Sequence, residues 1–273
     1  MAVTMADISK LRTMTGAGMM DCKNALTEAE NDFEKAIEII RKKGKAIAAK
    51  RSDREASEGC VLATDKGGFA AIVALQCETD FVAKNADFIA LTQSILDAAM
   101  ANCPASLDEL KAIKIDGRSI EDLVIDRSGI TGEKMELGSY EFVKGNTTIS
   151  YIHPGNKLAT IVSFNENIDH QISREVAMQV AAMSPVALNR EQVPAHIVET
   201  ELEIGRDKAR QEGKPEAMLD KIAEGRLNKF YKESTLLEQE FIKDAKISVQ
   251  QYLKQQSATL TATGFKRVTL NQE

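Results

Sequence analysis

Phe69-Ala70-Ala71-Ile72-Val73-Ala74-Leu75, followed at once by Gln76-Cys77-Glu78-Thr79-Asp80-Phe81-Val82-Ala83-Lys84, decides how this chain is read. The first run is continuous, apolar and of strand length, which predicts a buried β-strand. Beyond the second, Phe88, Leu91, Ile95 and Ala99 recur at three- and four-residue steps, predicting an amphipathic helix over residues 86–101. Phe81 belongs to neither pattern. Two readings of it stand open. In one, Asp80 caps the helix and Phe81 packs beneath it. In the other, a rigid strand-to-helix corner offers a ring and a carboxylate to another protein.

Working outward, Val61-Leu62-Ala63-Thr64, the turn Asp65-Lys66-Gly67-Gly68 and the strand at 69–75 predict a hairpin that leads into that helix. A weak echo follows. Thr148-Ile149-Ser150-Tyr151-Ile152, the turn His153-Pro154-Gly155-Asn156 and Leu158-Ala159-Thr160-Ile161-Val162-Ser163-Phe164 predict a second hairpin, again followed by a helix, over about 171–183. Two such units predict an α+β fold with a core of two similar halves, residues 59–140 and 141–273. The second half carries an insertion. Val198, Leu202, Gly205 and Ala209, then a break at Gln211-Glu212-Gly213-Lys214-Pro215, then Leu219, Ile222, Ala223 and Phe230 predict an antiparallel helical hairpin with a narrow, coiled-coil-like seam over about 193–230. A helix over 247–256 and a closing strand over 259–270, with Phe265, Val268 and Leu270, complete it.

Residues 1–44 read as three short helices. Ile8 and Leu11 mark the first, stopped by Thr15-Gly16-Ala17-Gly18. Cys22, Ala25, Leu26 and Ala29 mark the second. Phe33, Ala36, Ile37 and Ile40 mark the third, capped by Asn31-Asp32 and expected to end at Gly44. So short a segment is marginal as an independent core and is expected as a small tethered bundle. Residues 45–58 are rich in Lys, Arg and Ala but lack interleaved aromatics and run into Asp53, Glu55 and Glu58. They read as a solvated helical linker in preference to a nucleic-acid arm.

The bulk numbers narrow the classes. In 273 residues, 43% are hydrophobic, 28% charged and 5% aromatic, with no Trp, which favours helix-rich packing in an ordinary globular protein. A net charge of −6 argues against a general nucleic-acid binder. No apolar run approaches the roughly 18 residues of a membrane span, and the start shows no secretory or transit signal, so a cytoplasmic protein is expected. The four cysteines, Cys22, Cys60, Cys77 and Cys103, form no CxxC pair and read as reduced thiols.

Chemistry-bearing motifs are missing. No phosphate-binding loop, no GxGxxG opening a helix after a strand and no nucleophile signature occurs, and Gly16-Ala17-Gly18 follows a helix. His153, His170 and His196 lack metal spacing. No cofactor, no metal and no covalent catalysis are expected. His153, taken alone, reads as a structural or exposed turn histidine.

Two stretches together carry a family resemblance: Thr15-Gly16-Ala17-Gly18-Met19-Met20-Asp21-Cys22-Lys23-Asn24-Ala25-Leu26, and Thr79-Asp80-Phe81-Val82-Ala83-Lys84. They resemble the two signatures of the bacterial elongation factor Ts family. The likeness extends to Glu224-Gly225-Arg226-Leu227-Asn228-Lys229-Phe230 and Gly264-Phe265-Lys266-Arg267-Val268, and so over nearly the whole chain. It implies a guanine-nucleotide exchange factor for elongation factor Tu, binding its GDP-bound and nucleotide-free forms during translation elongation. It implies that residues 1–44 resemble a ubiquitin-associated domain, with Arg12, Met19 and Met20 as partner contacts. Asp80 and Phe81, flanked by Thr79 and Val82, would enter near the partner's magnesium site. His153 matches a further contact position, in a loop that differs from the family's. The resemblance implies no direct nucleic-acid or membrane contact and leaves room for a homodimer in the complex. Some members extend into a C-terminal helical module; this chain stops at Glu273, so that grip is expected to be absent. Two rival classes remain: a ubiquitin-associated-type adaptor with a coiled-coil arm, and an enzyme with an unfamiliar site.

Overall fold

The computed structural model describes residues 3–271 and shows an α+β protein. Helix α1 (Met5–Thr15) opens on a capping box between Thr4 and Asp7 and closes at Gly16, whose φ of 72° is a left-handed cap. α2 (Met19–Glu28) starts at Gly18, and α3 (Phe33–Lys50) starts where the Asp32 carboxylate accepts from the Lys35 amide. Ile8, Leu11, Cys22, Ala25, Leu26 and Ala36 are buried together, so the stripes predicted for these helices do form the bundle's core. One expectation fails. α3 does not end at Gly44 but continues to Lys50, absorbing residues 45–50 of the expected linker. Gly44 is there for contact and not for capping: a β-carbon on it would lie 3.5 Å from the Gly129 Cα.

β1 (Glu58–Lys66) and β2 (Phe69–Cys77) are joined by Gly67 and Gly68, with φ of 59° and 79°. That two-residue left-handed turn matches the twist of a hairpin and excludes most side chains. There follow α4 (Asp80–Ala83), α5 (Ala86–Asn102), α6 (Leu107–Ala112), the two-stranded β3 (Lys114–Ile115) and β4 (Arg118–Ser119), and α7 (Ile120–Thr131). β5 (Met135–Lys144) completes a sheet of order β1-β2-β5. The second sheet has order β10-β7-β6, built from β6 (Thr147–Ile152), β7 (Leu158–Phe164) and β10 (Ala262–Thr269), antiparallel throughout. α8 (His170–Met183) packs on it and buries Val176 and Val180 against Val162 and Phe164. The helical arm consists of α9 (Ala195–Gln211) and α10 (Leu219–Ser234), whose seam brings Gly205 within 3.0 Å, by its would-be β-carbon, of the Ala223 Cα. β8 (Glu240–Phe241), β9 (Asp244–Ser248) and α11 (Val249–Lys254) precede β10, so the expected helix over 247–256 is shorter and begins only after β9.

The chain divides into two units. The first comprises Met1–Leu62, Val73–Tyr140 and Leu270–Glu273, and the second Ala63–Ile72 and Glu141–Thr269. Arg12, Met19, Met20 and residues 79–82 fall in the first unit; His153 and the helical arm fall in the second. No helix among the described residues is long and apolar enough to cross a membrane.

Candidate functional site

At the end of β2 the chain leaves the sheet through Glu78 and Thr79 and turns into the single-turn helix α4. Thr79 caps that turn, its hydroxyl facing the Val82 amide at 3.5 Å, and Asn85 caps α5 by accepting from the Asp87 amide at 2.9 Å. The caps are therefore supplied by Thr79 and Asn85. This removes the reading in which Asp80 caps the long helix and Phe81 packs beneath it. Phe81 is 85% exposed, the most exposed of the large apolar side chains among the described residues. A lone exposed apolar residue is ordinary, but a full phenyl ring in water at a fixed corner is not explained by folding. Of the residues around it in sequence, Cys77, Ala83 and Phe88 are buried.

Asp80 is half-exposed and accepts from Lys84 Nζ at 2.7 Å, one turn along. That hydrogen bond raises the Lys84 ammonium above its ordinary value. The carboxylate is thus partly open to water, with the Lys84 ammonium among its partners.

The backbone under the pair is held by two glutamates. Glu133 Oε2 accepts from the Glu78 amide at 3.2 Å and the Thr79 amide at 3.1 Å, while its Oε1 accepts from the Thr79 hydroxyl at 2.6 Å. Glu78 returns the contact: its Oε1 accepts from the Lys134 amide at 2.6 Å and from Arg51 Nη1 at 2.9 Å, and its Oε2 from Arg54 Nη1 at 3.0 Å. Burial raises the Glu78 carboxyl, but the Lys134 amide and the two guanidiniums outweigh it and hold the group below its usual range. Each carboxylate therefore satisfies the other segment's backbone. Neither glutamate was singled out from the sequence. Glu78 lies inside the stretch at 76–84 and Glu133 follows a glycine, and nothing in their spacing announces that they meet.

Nearby, Cys77 is no nucleophile. Burial first, and the Glu133 carboxylate second, push its thiol up to about 12.

Three of the other predicted residues lie in the N-terminal helices of the same unit. Arg12 is exposed in the last turn of α1, and Met19 and Met20 are 45% and 64% exposed at the start of α2. Met5 and Met14 are exposed as well. Methionine is flexible and polarisable, which suits a surface that must adapt to a partner. His153 sits exposed in the β6–β7 turn, its Nδ1 3.1 Å from the Tyr151 hydroxyl, and its amide donates to the Leu158 carbonyl at 2.8 Å.

A cleft of about 750 Å³ in the first unit lies elsewhere. It is lined by α1–α3, α5 and α7, including Ile37, Ile40, Leu91 and Ile130, and touches none of Arg12, Met19, Met20 or residues 79–82. This cleft is thus separate from the Asp80-Phe81 corner, and projections suit protein recognition where clefts suit small ligands. Among the described residues no group of three or more His, Cys, Asp or Glu could hold a metal ion.

The comparisons point one way. A family model described as elongation factor TS matches residues 78–272, beginning at the glutamate beneath the corner. A protein called elongation factor Ts from Porphyromonas gingivalis is 66% identical over 272 residues, covering 99% of either chain. Another of that name, from Azobacteroides pseudotrichonymphae, is 56% identical over 274 residues and covers both chains fully. A third, from Bacteroides thetaiotaomicron, is 47% identical over 330 aligned residues, longer than this chain, so it carries segments without a counterpart here.

Proposed function

Because this chain belongs to the elongation factor Ts family, we propose that it is a guanine-nucleotide exchange factor that binds elongation factor Tu and promotes GDP release during translation elongation, in the cytoplasm where that process runs. It does so without covalent chemistry. The observation that carries the mechanism is the 85% exposure of Phe81 on a corner whose backbone is fixed by Glu133.

The physical requirement for exchange is differential binding. A factor accelerates nucleotide release if it makes contacts that exist only when the nucleotide site is distorted. If the factor weakens GDP binding by some ratio, GDP weakens factor binding by the same ratio, so an incoming nucleotide expels the factor and the cycle turns. Phe81 supplies the attractive half. Its ring is in water in the free factor, and burying it in the opened partner is worth about 1.5–3 kcal/mol, or roughly one to two factors of ten in the coupling. Asp80 supplies the other half. A carboxylate carried toward a magnesium and phosphate site competes for the metal's coordination or repels phosphate, and either effect loosens the nucleotide. Thr79 and Val82 set the turn that presents both side chains.

The ubiquitin-associated-like bundle provides the docking surface through Arg12, Met19 and Met20, and His153 adds a contact from the second unit. The partner is met in its GDP-bound form and held in its nucleotide-free form. The direct test is release of labelled GDP from elongation factor Tu with substoichiometric amounts of this protein. Turnover of several equivalents of partner per factor is expected, and release no faster than the unassisted rate would refute the assignment.

A further inference from the structure

The pair of glutamates beneath the corner has a geometry that stability alone does not call for. Glu133 gathers three donors, all from the two residues that immediately precede Asp80-Phe81. Glu78 gathers Lys134 N from the Glu133 segment, together with Arg51 and Arg54. Arg51 is the C-cap of α3, so the clasp reaches from the last helix of the N-terminal bundle to the peptide that aims Phe81. Its central parts are sheltered, with side-chain exposures of 14% for Glu78 and 29% for Arg51, whereas Arg54 at 59% is at the rim.

We propose that Glu133 is a positioning residue for exchange: it locks the backbone of Glu78 and Thr79, so that Phe81 is presented in one direction before the partner arrives, and Glu78 registers that corner against the end of α3.

The inference rests on the exchange-factor reading and deepens it. Without the lock, the hydroxyl and two amides of residues 78 and 79 turn to water and the corner samples several orientations. A ring in several orientations must be ordered during binding, and that ordering reduces what its burial contributes to the distorted state. Docking through Arg12, Met19 and Met20 lies outside the clasp. Loss of the lock therefore lowers the maximal rate of GDP release more than it raises the half-saturating factor concentration, the split expected when an interaction acts in the activated state and not in ground-state binding.

The variants follow from the atoms. Glu133→Ala removes all three acceptor contacts. Glu133→Gln can keep them, its carbonyl accepting from the two amides while its NH₂ donates to the Thr79 hydroxyl. Full-length wild type, Glu133→Ala, Glu133→Gln and Phe81→Ala are compared for maximal release rate, half-saturating concentration and melting temperature. Expected are a maximal rate lower by on the order of tenfold in Glu133→Ala, largely restored in Glu133→Gln, with half-saturation changed far less. If Glu133→Ala does not fold, Thr79→Val takes its place, removing the hydroxyl contact to Glu133 together with the hydroxyl's cap on the Val82 amide, and is compared with Thr79→Ser, which keeps both. If Phe81→Ala is impaired while folded Glu133 and Thr79 variants release GDP at the wild-type maximal rate, or change half-saturation alone, the positioning role is refuted and the corner reading stands. If Phe81→Ala itself is unimpaired, the corner reading fails first and the positioning role with it.

Discussion

A β-carbon placed on Gly129 would stand 2.3 Å from the Gly44 Cα, so α7 and α3 cross at backbone contact. Two opposing terms decide what Gly129→Ala does. Alanine inside a helix gains about 0.5–1 kcal/mol over glycine. Against this, the neighbour is backbone and cannot swing aside, and overpacking of this kind costs about 1–3 kcal/mol. The clash wins. Gly129→Ala is expected to lower the melting temperature by several degrees in circular dichroism. An unchanged or raised melting temperature would show that α3 and α7 are not in contact in solution.

Glu175 gives a pH prediction in the second unit. It is buried and accepts from Lys243 Nζ at 2.6 Å, from the Tyr252 hydroxyl at 2.5 Å and from Gln171 Nε2 at 2.9 Å. Lys243 first and Tyr252 second lower its pKa from 4.5 to about 2, against the opposing effect of burial. Tyr252 is correspondingly raised, by burial and then by this bond. A folded-state pKa below the unfolded one means that the stabilisation is present above about 4.5 and is lost as pH falls toward 2. The shift corresponds to about 3 kcal/mol. Urea melts at pH 6, 4 and 2.5 should show stability falling across that range, and Glu175→Gln should flatten the fall. Equal slopes in both proteins would remove Glu175 as its source.

The sequence made the regular parts legible because each carries one dominant signal. The stripe of Phe88, Ile95 and Ala99 is buried on α5, the turns at Gly67-Gly68 and at His153-Pro154-Gly155-Asn156 join hairpins, and the Gly205–Ala223 seam builds the arm. What escaped was carried by tertiary contact. Gly44 has the local look of a helix stop, yet it lies mid-helix because Gly129 needs its missing side chain. β5 was unread since its burial alternates only loosely and it mixes glycine, serine and glutamate among its apolar residues, so it is a strand chiefly because β2 offers it an edge. At the site, Asp80 and Phe81 could be found from the sequence because Phe81 fits no stripe. Glu133 could not, since an exposed-looking glutamate after a glycine has no local reason to reach Thr79.

The thiols offer a quick test of burial. Cys22, Cys60 and Cys77 are buried and Cys103 is exposed. Burial is the leading cause that raises the Cys22 and Cys77 thiols, which further suppresses their reactive thiolate. In the native protein a maleimide should label Cys103 alone, as read by peptide mass analysis, with the other thiols labelled only after denaturation. Fast native labelling of Cys77 would mean that the corner above it opens readily, against a backbone locked by Glu133.

Exchange turns on Phe81, and the most direct test is the rate at which labelled GDP leaves elongation factor Tu at saturating factor, wild type against Phe81→Ala. Phe81 is 85% exposed and packs on nothing that folding needs, so the variant should melt like the wild type. Its maximal release rate should fall by roughly tenfold to a hundredfold, the equivalent of the 1.5–3 kcal/mol carried by the buried ring. A folded Phe81→Ala protein that releases GDP at the wild-type rate would contradict the account.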